Sequence, residues 1–256
     1  MRRLAAWVVL AALAAVLMGA CGAGRPFRRG MVSLTFDDGW VSHATLVAPE
    51  LTRRGWKGTF YLIPGWFGSD LDGEPFVTTE QARSIAALGH EIGDHTLDHP
   101  NLHFIEEPLV LQEIEQGRSE LMRLLDLSED DIVSFAPPHG GYDQRVLDDA
   151  AKLGLSCRTI DPHLDDADAD PLVLGGFLLG IAHPDRDPDA IAELVHEAEV
   201  DKQWLILVFH GIAEGEIQRR TDEPKADFDR ILDSVAAADV DVVTVREGVE
   251  RLRAMK

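Results

Sequence analysis

The sequence predicts an α/β protein in which parallel strands form a sheet with helices outside it. The first observation is an alternation of short apolar segments with longer amphipathic segments over most of the 256 residues. The second is the run 205–209, Leu-Ile-Leu-Val-Phe, which is apolar at every position and is typical of a strand covered on both faces. The alternation leaves two arrangements open, a doubly wound open sheet or a closed barrel.

The strand predictions follow from short runs rich in apolar, β-branched and aromatic residues. The first run, 31–36, ends at the acidic pair Asp37-Asp38, and Gly39 permits the chain to turn there. We expect strands at 31–36, 58–63, 91–93, 132–136, 155–160, 172–179, 205–209 and 240–245.

The helix predictions come from apolar residues that recur every three to four positions between those strands. Thr79 gives the first helix a polar start, and Gly154 provides an end for another. We expect helices at 79–88, 106–125, 143–153, 188–200, 224–238 and 247–255.

The charge balance argues against nucleic acid as a partner. The chain has 24 Lys and Arg against 45 Asp and Glu, which gives a formal net charge of −21 at pH 7. Such a surface repels polyanions, so a neutral or cationic ligand fits better, although surface acidity also serves solubility alone. The two cysteines, Cys21 and Cys157, predict no disulfide framework. We expect Cys157 to be a small buried side chain.

The N-terminus predicts an export signal. Arg2 and Arg3 precede an apolar run at 4–20 that ends in small residues, as a charged n-region, an h-region and a cleavage point do. The run is shorter than the roughly 20 residues that a membrane span requires. An export signal is therefore favoured, and an uncleaved anchor is the alternative.

The end of this run, Leu17-Met18-Gly19-Ala20-Cys21, resembles the lipobox of bacterial lipoproteins. The resemblance implies a lipid on Cys21 and a protein exported to the bacterial cell envelope, anchored to a membrane by that lipid. We expect a signal peptide at 1–20, a tether at 21–30 and one folded domain at 31–256.

Polar side chains follow several predicted strands, and in parallel α/β architectures chemistry gathers at the carboxyl ends of the strands. They are Asp37, Asp38, His95, His99, the Pro/Gly loop 137–141, Asp161 and His210. Two adjacent carboxylates can divide into one cation ligand and one base for a water, although an acidic turn without a ligand is the plainer alternative. The spacing of His95 and His99 brings both imidazoles to one face if that segment is helical.

Four segments in the same order resemble motifs of the polysaccharide deacetylases of carbohydrate esterase family 4, the NodB-homology domain. They are Thr35-Phe36-Asp37-Asp38-Gly39, the stretch 89–102 from Gly-His-Glu-Ile-Gly-Asp-His to Pro-Asn-Leu, Phe135-Ala136-Pro137-Pro138-His139-Gly140, and Leu207-Val208-Phe209-His210-Gly211. The resemblance covers roughly 32–245. It implies a catalytic domain that is a distorted (β/α) barrel, with parallel strands and outer helices.

Position by position, the resemblance implies a divalent metal bound by Asp38, His95 and His99, an arrangement that leaves open positions for a water and the substrate. Asp37 would be the general base, and His210 the general acid that protonates the departing amine. The ligand set suits zinc (Zn2+), with Co2+, Ni2+ or Fe2+ as alternatives.

The resemblance also implies an oxyanion and substrate loop at Pro138, His139 and Gly140, where a backbone N–H near His139 stabilises the developing oxyanion. His139 stands where the family commonly has Tyr or Phe, and we expect this difference to be tolerated. The third motif usually begins with an arginine that steadies the catalytic aspartate, but this chain has Ala136 there. Our candidate replacement is Arg158, a lone basic residue on the next apolar strand.

The family's acidic fourth motif, which tunes the general acid, is poorly matched, and Asp161 is the nearest candidate. Trp66 and Phe67 lie in a loop after a strand, where an aromatic face can stack on a sugar ring. Packing under the loop is the alternative for both.

The activity that the resemblance implies is removal of N-acetyl groups from an N-acetylglucosamine-containing polysaccharide of an envelope or extracellular matrix. An O-acetyl esterase acting on acetylated xylan or a similar polysaccharide would use the same motifs. A non-catalytic carbohydrate-binding relative is the third possibility, supported by Ala136 alone. The motifs do not predict an oligomeric state.

Overall fold

The computed structural model describes residues 25–71, 73–217 and 219–256. The predicted signal peptide at 1–20 and the lipidation candidate Cys21 lie outside the described residues. Among the helices that are described, none combines the length and the apolar character that a bilayer crossing requires.

The described elements alternate between strands and helices along the chain. The strands are β1 (Gly30–Asp38), β2 (Thr59–Leu62), β3 (Asp70–Leu71), β4 (Glu74–Pro75), β5 (Glu91–Asp94), β6 (Ser134–Phe135), β7 (Ser156–Cys157), β8 (Phe177–Leu178), β9 (Trp204–Phe209), β10 (Ile212–Ala213), β11 (Glu223–Pro224) and β12 (Val240–Val242). The α-helices are α1 (Ala48–Arg53), α2 (Thr79–Ala87), α3 (Leu109–Leu125), α4 (Gln144–Lys152), α5 (Pro188–Asp201), α6 (Lys225–Ala237) and α7 (Val245–Arg253). A π-helical turn, His43–Val47, leads into α1.

The main sheet is parallel and is organised around β1. Its strand order is β7-β6-β5-β2-β1-β9-β8, and β12 pairs with the first three residues of β1. All nine residues of β1 are buried because strands and helices cover it on every side. Parallel pairing places the carboxyl ends of β1, β2, β5, β6 and β9 at the same edge of the sheet.

The sheet curls until its two ends meet. Arg158, just after β7, forms a parallel bridge with Leu174, just before β8. The N–H of Thr159 donates to the carbonyl of Leu174 at 2.9 Å, and the N–H of Leu174 donates to the carbonyl of Cys157 at 3.0 Å. These bonds confirm the distorted (β/α) barrel and exclude the open, doubly wound alternative.

Aromatic packing outside the sheet holds β1 in place. The ring of Phe36 stacks on Phe60 from β2 at 4.9 Å and on Phe209 from β9 at 5.4 Å between centroids. Phe228 from α6 meets Phe36 edge-on at 6.2 Å. All four rings are fully buried, and each contributes roughly 1.5–3 kcal/mol of hydrophobic free energy. The strand that carries the acidic pair is therefore held rigidly.

Most predicted elements are confirmed, with shifted ends. The first predicted helix begins after Thr78, which forms the capping box with Gln81, so Thr79 lies inside the helix. The predicted helix 106–125 begins only at Leu109, after Pro108. The small ladders β3–β4 and β10–β11 and the helix α1 were not predicted, because their sequences show no clear period.

The described part of the predicted tether packs on the domain. Phe27 is only 6% exposed and packs in a cluster with Met31, Trp204 and Leu252. The N–H of Phe27 donates to the carbonyl of Lys202 at 2.8 Å. The stretch 25–30 is therefore attached to the barrel, because its one large apolar side chain is buried.

Candidate active site

Asp161 does not line the cavity of about 330 Å³ at the carboxyl edge of the sheet, but most of the other residues predicted to share that edge do. They are Asp37, Asp38, His95, His99, Pro137, His139, Gly140 and His210. The parallel sheet accounts for this convergence, because each group follows a strand whose carboxyl end lies at the same edge.

Asp38 lies at the centre of the cavity, at the last position of β1. Its backbone has φ 75°, a left-handed conformation that is uncommon for a residue with a side chain and that turns the carboxylate out of the strand pleat. Its Oδ1 atom lies 3.5 Å from Nε2 of His95 and 3.4 Å from Nε2 of His99. This oxygen is buried and has no hydrogen-bond partner among the described residues.

His95 and His99 are brought together by turns and not by a helix. The backbone between them is irregular, with φ 68° at Thr96 and 62° at His99. The hydroxyl of Thr96 accepts a hydrogen bond from the N–H of His99 at 3.0 Å, which stabilises this bend. The two imidazole centroids lie 4.8 Å apart. The two imidazoles are therefore adjacent, as they would be on a helix, although the backbone between them is not helical.

The hydrogen bonding of His95 leaves one ring nitrogen free. Nδ1 lies 2.6 Å from the carbonyl of Ala136, and since a carbonyl only accepts, Nδ1 carries the proton and donates. Nε2, which points to Asp38, then has a free lone pair. A backbone carbonyl on the far nitrogen is a common way to orient a metal-ligating histidine.

These three side chains fit a divalent metal. Their donor atoms all lie within 4.8 Å of one another, and the unpartnered Oδ1 of Asp38 leaves a buried negative charge that a cation would satisfy. Burial lowers the pKa of His99 to about 3, so its imidazole is neutral, as a ligand must be. Burial alone would raise the pKa of Asp38, but the pKa is lowered overall, and the charge interaction with His210 is the largest of the effects that lower it.

Asp37 is held by Arg158. The Nη2 atom of Arg158 donates to both carboxylate oxygens of Asp37, at 2.6 and 2.7 Å. Both side chains are buried, with 1% of Arg158 and 4% of Asp37 exposed. The guanidinium carbon also lies 4.9 Å from the ring centroid of Tyr61 on β2, a cation–π contact. The structure therefore places a guanidinium on Asp37 although the third motif has Ala136.

His210 follows β9 and faces the same carboxylate of Asp38, with its Nε2 3.9 Å from Oδ2. Its carbonyl accepts a hydrogen bond from Nε2 of His43 at 2.9 Å. Burial lowers the pKa of His43 to about 4, so this imidazole is neutral and acts as a fixed donor. His43 thus anchors the backbone that carries His210.

The structure does not bring Asp161 to His210. Asp161 accepts a hydrogen bond from the hydroxyl of Tyr142 at 2.6 Å, and the buried Nδ1 of His210 has no partner among the described residues. The sequence match to an acidic fourth motif is weak, and in the structure this carboxylate is bonded to Tyr142 and not to His210.

The loop of Pro138, His139 and Gly140 forms a single 3₁₀ turn at the edge of the cavity, with φ 58° at His139. The ring of His139 lies 4.4 Å from that of His99 between centroids. Gly140 has a φ of 65°, and a Cβ atom there would lie 2.3 Å from the Ile160 side chain, so the turn favours glycine at this position.

The two loop aromatics have different positions. Trp66 lines the cavity, 5.0 Å from the ring of His99. Phe67 is partly buried and packs against the main hydrophobic core instead. Only the first of the two is placed where it can meet a ligand.

Sequence reasoning missed Trp40, Tyr61 and His43. Trp40 donates its indole N–H to Asp38, Tyr61 lies beneath Arg158, and His43 holds the carbonyl of His210. Trp40 could have been noticed because it directly follows the acidic pair and Gly39. The other two depend on pairings across the barrel that no local pattern reports.

Comparison with known proteins identifies the family. The sequence model of the family described as Polysaccharide deacetylase matches residues 24–157, slightly more than half of the chain. The chain therefore belongs to the polysaccharide deacetylase family. The match ends before β9, so His210 lies outside it.

Curated relatives share the same part of the chain. A chitooligosaccharide deacetylase of Bradyrhizobium sp. is 32% identical over 138 residues, which cover 51% of this chain and 57% of the relative. A peptidoglycan-N-acetylglucosamine deacetylase of Bacillus cereus is 31% identical over 116 residues, 45% of this chain and 38% of the relative. The chain thus spans about two fifths to three fifths of the length of these relatives.

Solved structures agree on the fold over a longer stretch. The Bc1960 peptidoglycan N-acetylglucosamine deacetylase has a TM-score of 0.60 at 21% identity, over 88% of this chain and 90% of that chain. A CE4 family pseudoenzyme from Bacillus anthracis has a TM-score of 0.58 at 17% identity, over 90% of this chain and 67% of that chain. At such identities the likeness shows the fold alone. A function has to be argued from the side chains of the cavity.

Proposed function

We propose that this protein is a metal-dependent hydrolase that removes N-acetyl groups from an N-acetylglucosamine-containing polysaccharide of an envelope or extracellular matrix. One observation carries the proposal: Asp37, held by Arg158, lies in the same cavity as the metal-type cluster and His210. A base, an acid and a cation site in one cavity are the parts that amide hydrolysis needs. The curated relatives, which are named as deacetylases of related sugars, support the substrate class.

Asp38, His95 and His99 would hold the metal, with zinc as the best match and Co2+, Ni2+ or Fe2+ as alternatives. When bound, the metal supplies a Lewis acid that polarises the acetyl carbonyl.

The protein's own residues move the protons. The carboxylate of Asp37 accepts a proton from the attacking water, and Arg158 keeps that carboxylate in one orientation through its two short hydrogen bonds. His210, in its protonated form, donates to the amide nitrogen as the carbon–nitrogen bond breaks. The products are acetate and a free amine. An amine leaves only when protonated, so His210 is required for an amide substrate.

Acetate release tests the proposal and separates its alternatives. The purified protein is incubated with chitooligosaccharides and, in parallel, with acetylated xylooligosaccharides. We expect acetate from the first, its loss after chelation and its return with zinc. Asp37→Asn and His210→Ala should each lower turnover by about 10²- to 10⁴-fold.

Two other outcomes would assign a different function. Acetate from the xylooligosaccharides alone would make the protein an O-acetyl esterase. No acetate from either substrate, with retained binding of chitooligosaccharide, would make it a carbohydrate-binding relative. The contact of Arg158 with Asp37 argues against this last function, because it gives Asp37 a guanidinium partner, and Ala136 was the one feature that favoured a non-catalytic protein.

We also propose that the protein is exported to the bacterial cell envelope and anchored to a membrane by a lipid on Cys21. The sequence 17–21 and the apolar run before it support this location. Full-length protein should fractionate with membranes, and Cys21→Ser should not be lipidated when cells are labelled with a radioactive fatty acid. A variant that still incorporates the label would refute the anchor at this position.

A further inference from the structure

Trp40 makes a direct contact with the carboxylate at the centre of the cavity. Its indole Nε1 donates a hydrogen bond to Oδ2 of Asp38 at 3.1 Å. The other oxygen of the same carboxylate, Oδ1, faces the Nε2 atoms of His95 and His99 and has no partner among the described residues. The indole therefore occupies one oxygen and leaves the other free toward the two imidazoles.

The indole ring is itself held in place. Only 4% of Trp40 is exposed. Phe76 stacks on it at 4.2 Å between centroids, and the backbones of these two residues form an antiparallel bridge. The packing of Phe76 against the ring therefore fixes the direction in which the indole N–H points.

A cation completes the arrangement. The guanidinium carbon of Arg219 lies 3.5 Å from the centroid of the Trp40 ring. Arg219 is held there by Asp222, with Nε 3.2 Å from Oδ1, and by Glu74, with Nη2 3.3 Å from Oε2. A cation over an aromatic face is attracted to the π electrons and draws their density away from the ring edge. The N–H at that edge becomes a stronger donor to a carboxylate, which is already a strong acceptor.

We propose that Trp40 is a positioning residue for Asp38, and that Arg219 acts through the Trp40 ring. The indole N–H fixes the rotation of the carboxylate and assigns Oδ1 to the cation that Asp38, His95 and His99 would hold. This inference rests on the proposed metal site. Its consequence is that a residue without any metal-binding atom determines the affinity of the site.

The test measures metal binding and not turnover. Metal-free full-length protein is titrated with zinc, with a chromophoric chelator as competitor, for the wild type, Trp40→Phe and the control Trp56→Phe. Trp40→Phe keeps an aromatic ring against Phe76 but loses the N–H. Groups that orient a metal ligand typically change affinity by about 10- to 100-fold, so we expect Trp40→Phe to weaken zinc binding by that factor. Trp56 also has an arginine over its ring, Arg54 at 5.5 Å, but it does not line the cavity, so Trp56→Phe should bind zinc like the wild type.

Two results would overturn the inference. One is a wild-type zinc affinity in Trp40→Phe. The other is an equal loss in both tryptophan variants, which would show a general effect of losing an indole and not the contact of Trp40 with Asp38. The melting temperature of each metal-free variant is measured alongside. If Trp40 positions Asp38, Trp40→Phe should lose zinc affinity while its melting temperature stays close to that of the wild type.

Arg219→Met tests the second half of the inference by a double-mutant cycle. We expect Arg219→Met to weaken zinc binding about tenfold or less when Trp40 is present and to have no further effect in Trp40→Phe. Equal effects in both backgrounds would show that Arg219 acts independently of the ring.

Asp38→Asn separates this inference from the proposed function. If the wild type binds zinc no better than Asp38→Asn, the metal site and the proposed function both fail. If Asp38→Asn loses binding while Trp40→Phe does not, only the role of Trp40 is refuted.

Discussion

Replacement of Arg158 by Met gives a sharp test of how Asp37 is held. The guanidinium reaches both oxygens of Asp37 at 2.6 and 2.7 Å, and both residues are buried. Removing one partner of a buried ion pair leaves an uncompensated charge and typically costs about 3–5 kcal/mol. For a domain of this size, about 1 kcal/mol lowers the melting temperature by roughly 2–4 °C. We therefore expect the melting temperature of Arg158→Met to lie below that of the wild type by on the order of 10 °C.

Turnover should fall with it, for a different reason. Without Arg158 the carboxylate is free to rotate away from the attacking water, so we expect acetate release to drop by about 10²-fold or more, within the range for loss of a general base. Arg158→Lys keeps a positive charge but not the planar group that lies on Tyr61, and it should give an intermediate value for turnover.

The double variant Asp37→Asn with Arg158→Met distinguishes the two effects. Asparagine is neutral, so the double variant should be more stable than Arg158→Met alone, as calorimetry would show. The double variant should release acetate about as slowly as Asp37→Asn does, because Arg158 acts through Asp37. Near-normal turnover in Arg158→Ala, together with an inactive Asp37→Asn, would refute the assigned role.

Three further predictions concern stability and substrate binding. Burial, with Asp227 nearby, raises the pKa of Glu223 from 4.5 to about 7, so the fold favours its protonated form and loses stability as the pH rises from about 4.5 to 7. Glu223→Gln should abolish this loss, which is at most on the order of 3 kcal/mol. The prediction is wrong if the melting temperatures of the wild type and of Glu223→Gln differ by the same amount at pH 4.5 and at pH 7. Gly117→Ala places a Cβ atom 2.5 Å from the backbone carbonyl carbon of Thr96, so we expect a lower melting temperature and weaker zinc binding, and an unchanged zinc affinity would count against it. Trp66→Ala should raise KM for chitooligosaccharides, while Phe67→Ala should lower stability by on the order of 2 kcal/mol and leave KM unchanged; the reverse pattern would refute their assigned positions.

Much of the site could be predicted because its polar residues lie at the carboxyl ends of predicted strands. Asp37, Asp38 and His210 come directly after apolar runs, and parallel strands deliver their carboxyl ends to one edge of the sheet. The order of the motifs then identified the barrel. These inferences use only local pattern and chain order, which a sequence displays directly.

The segment that carries His95 and His99 shows where local pattern is insufficient. The spacing suggested a helical turn, but the chain uses left-handed residues at Thr96 and His99. That conformation is costly in isolation and persists because the surroundings support it: the N–H of Leu97 donates to the carbonyl of Glu113 on α3 at 3.1 Å. A hydrogen bond from the next helix, and not the four-residue spacing itself, thus supports the backbone of the ligand loop.

By itself the sequence determined the alternation of strands and helices, the parallel sheet, and the identity of the acids and histidines at its carboxyl edge. Only the tertiary structure decided that the sheet closes, that Trp40 and not Asp161 contacts the polar centre, and that Phe67 turns to the core while Trp66 stays in the cavity. The physical reason is that period and order are properties of neighbouring residues. Side-chain hydrogen bonds and burial depend on how the folded backbone aims each group, and some of them join residues far apart in sequence, as Arg158 is from Asp37, 121 positions away.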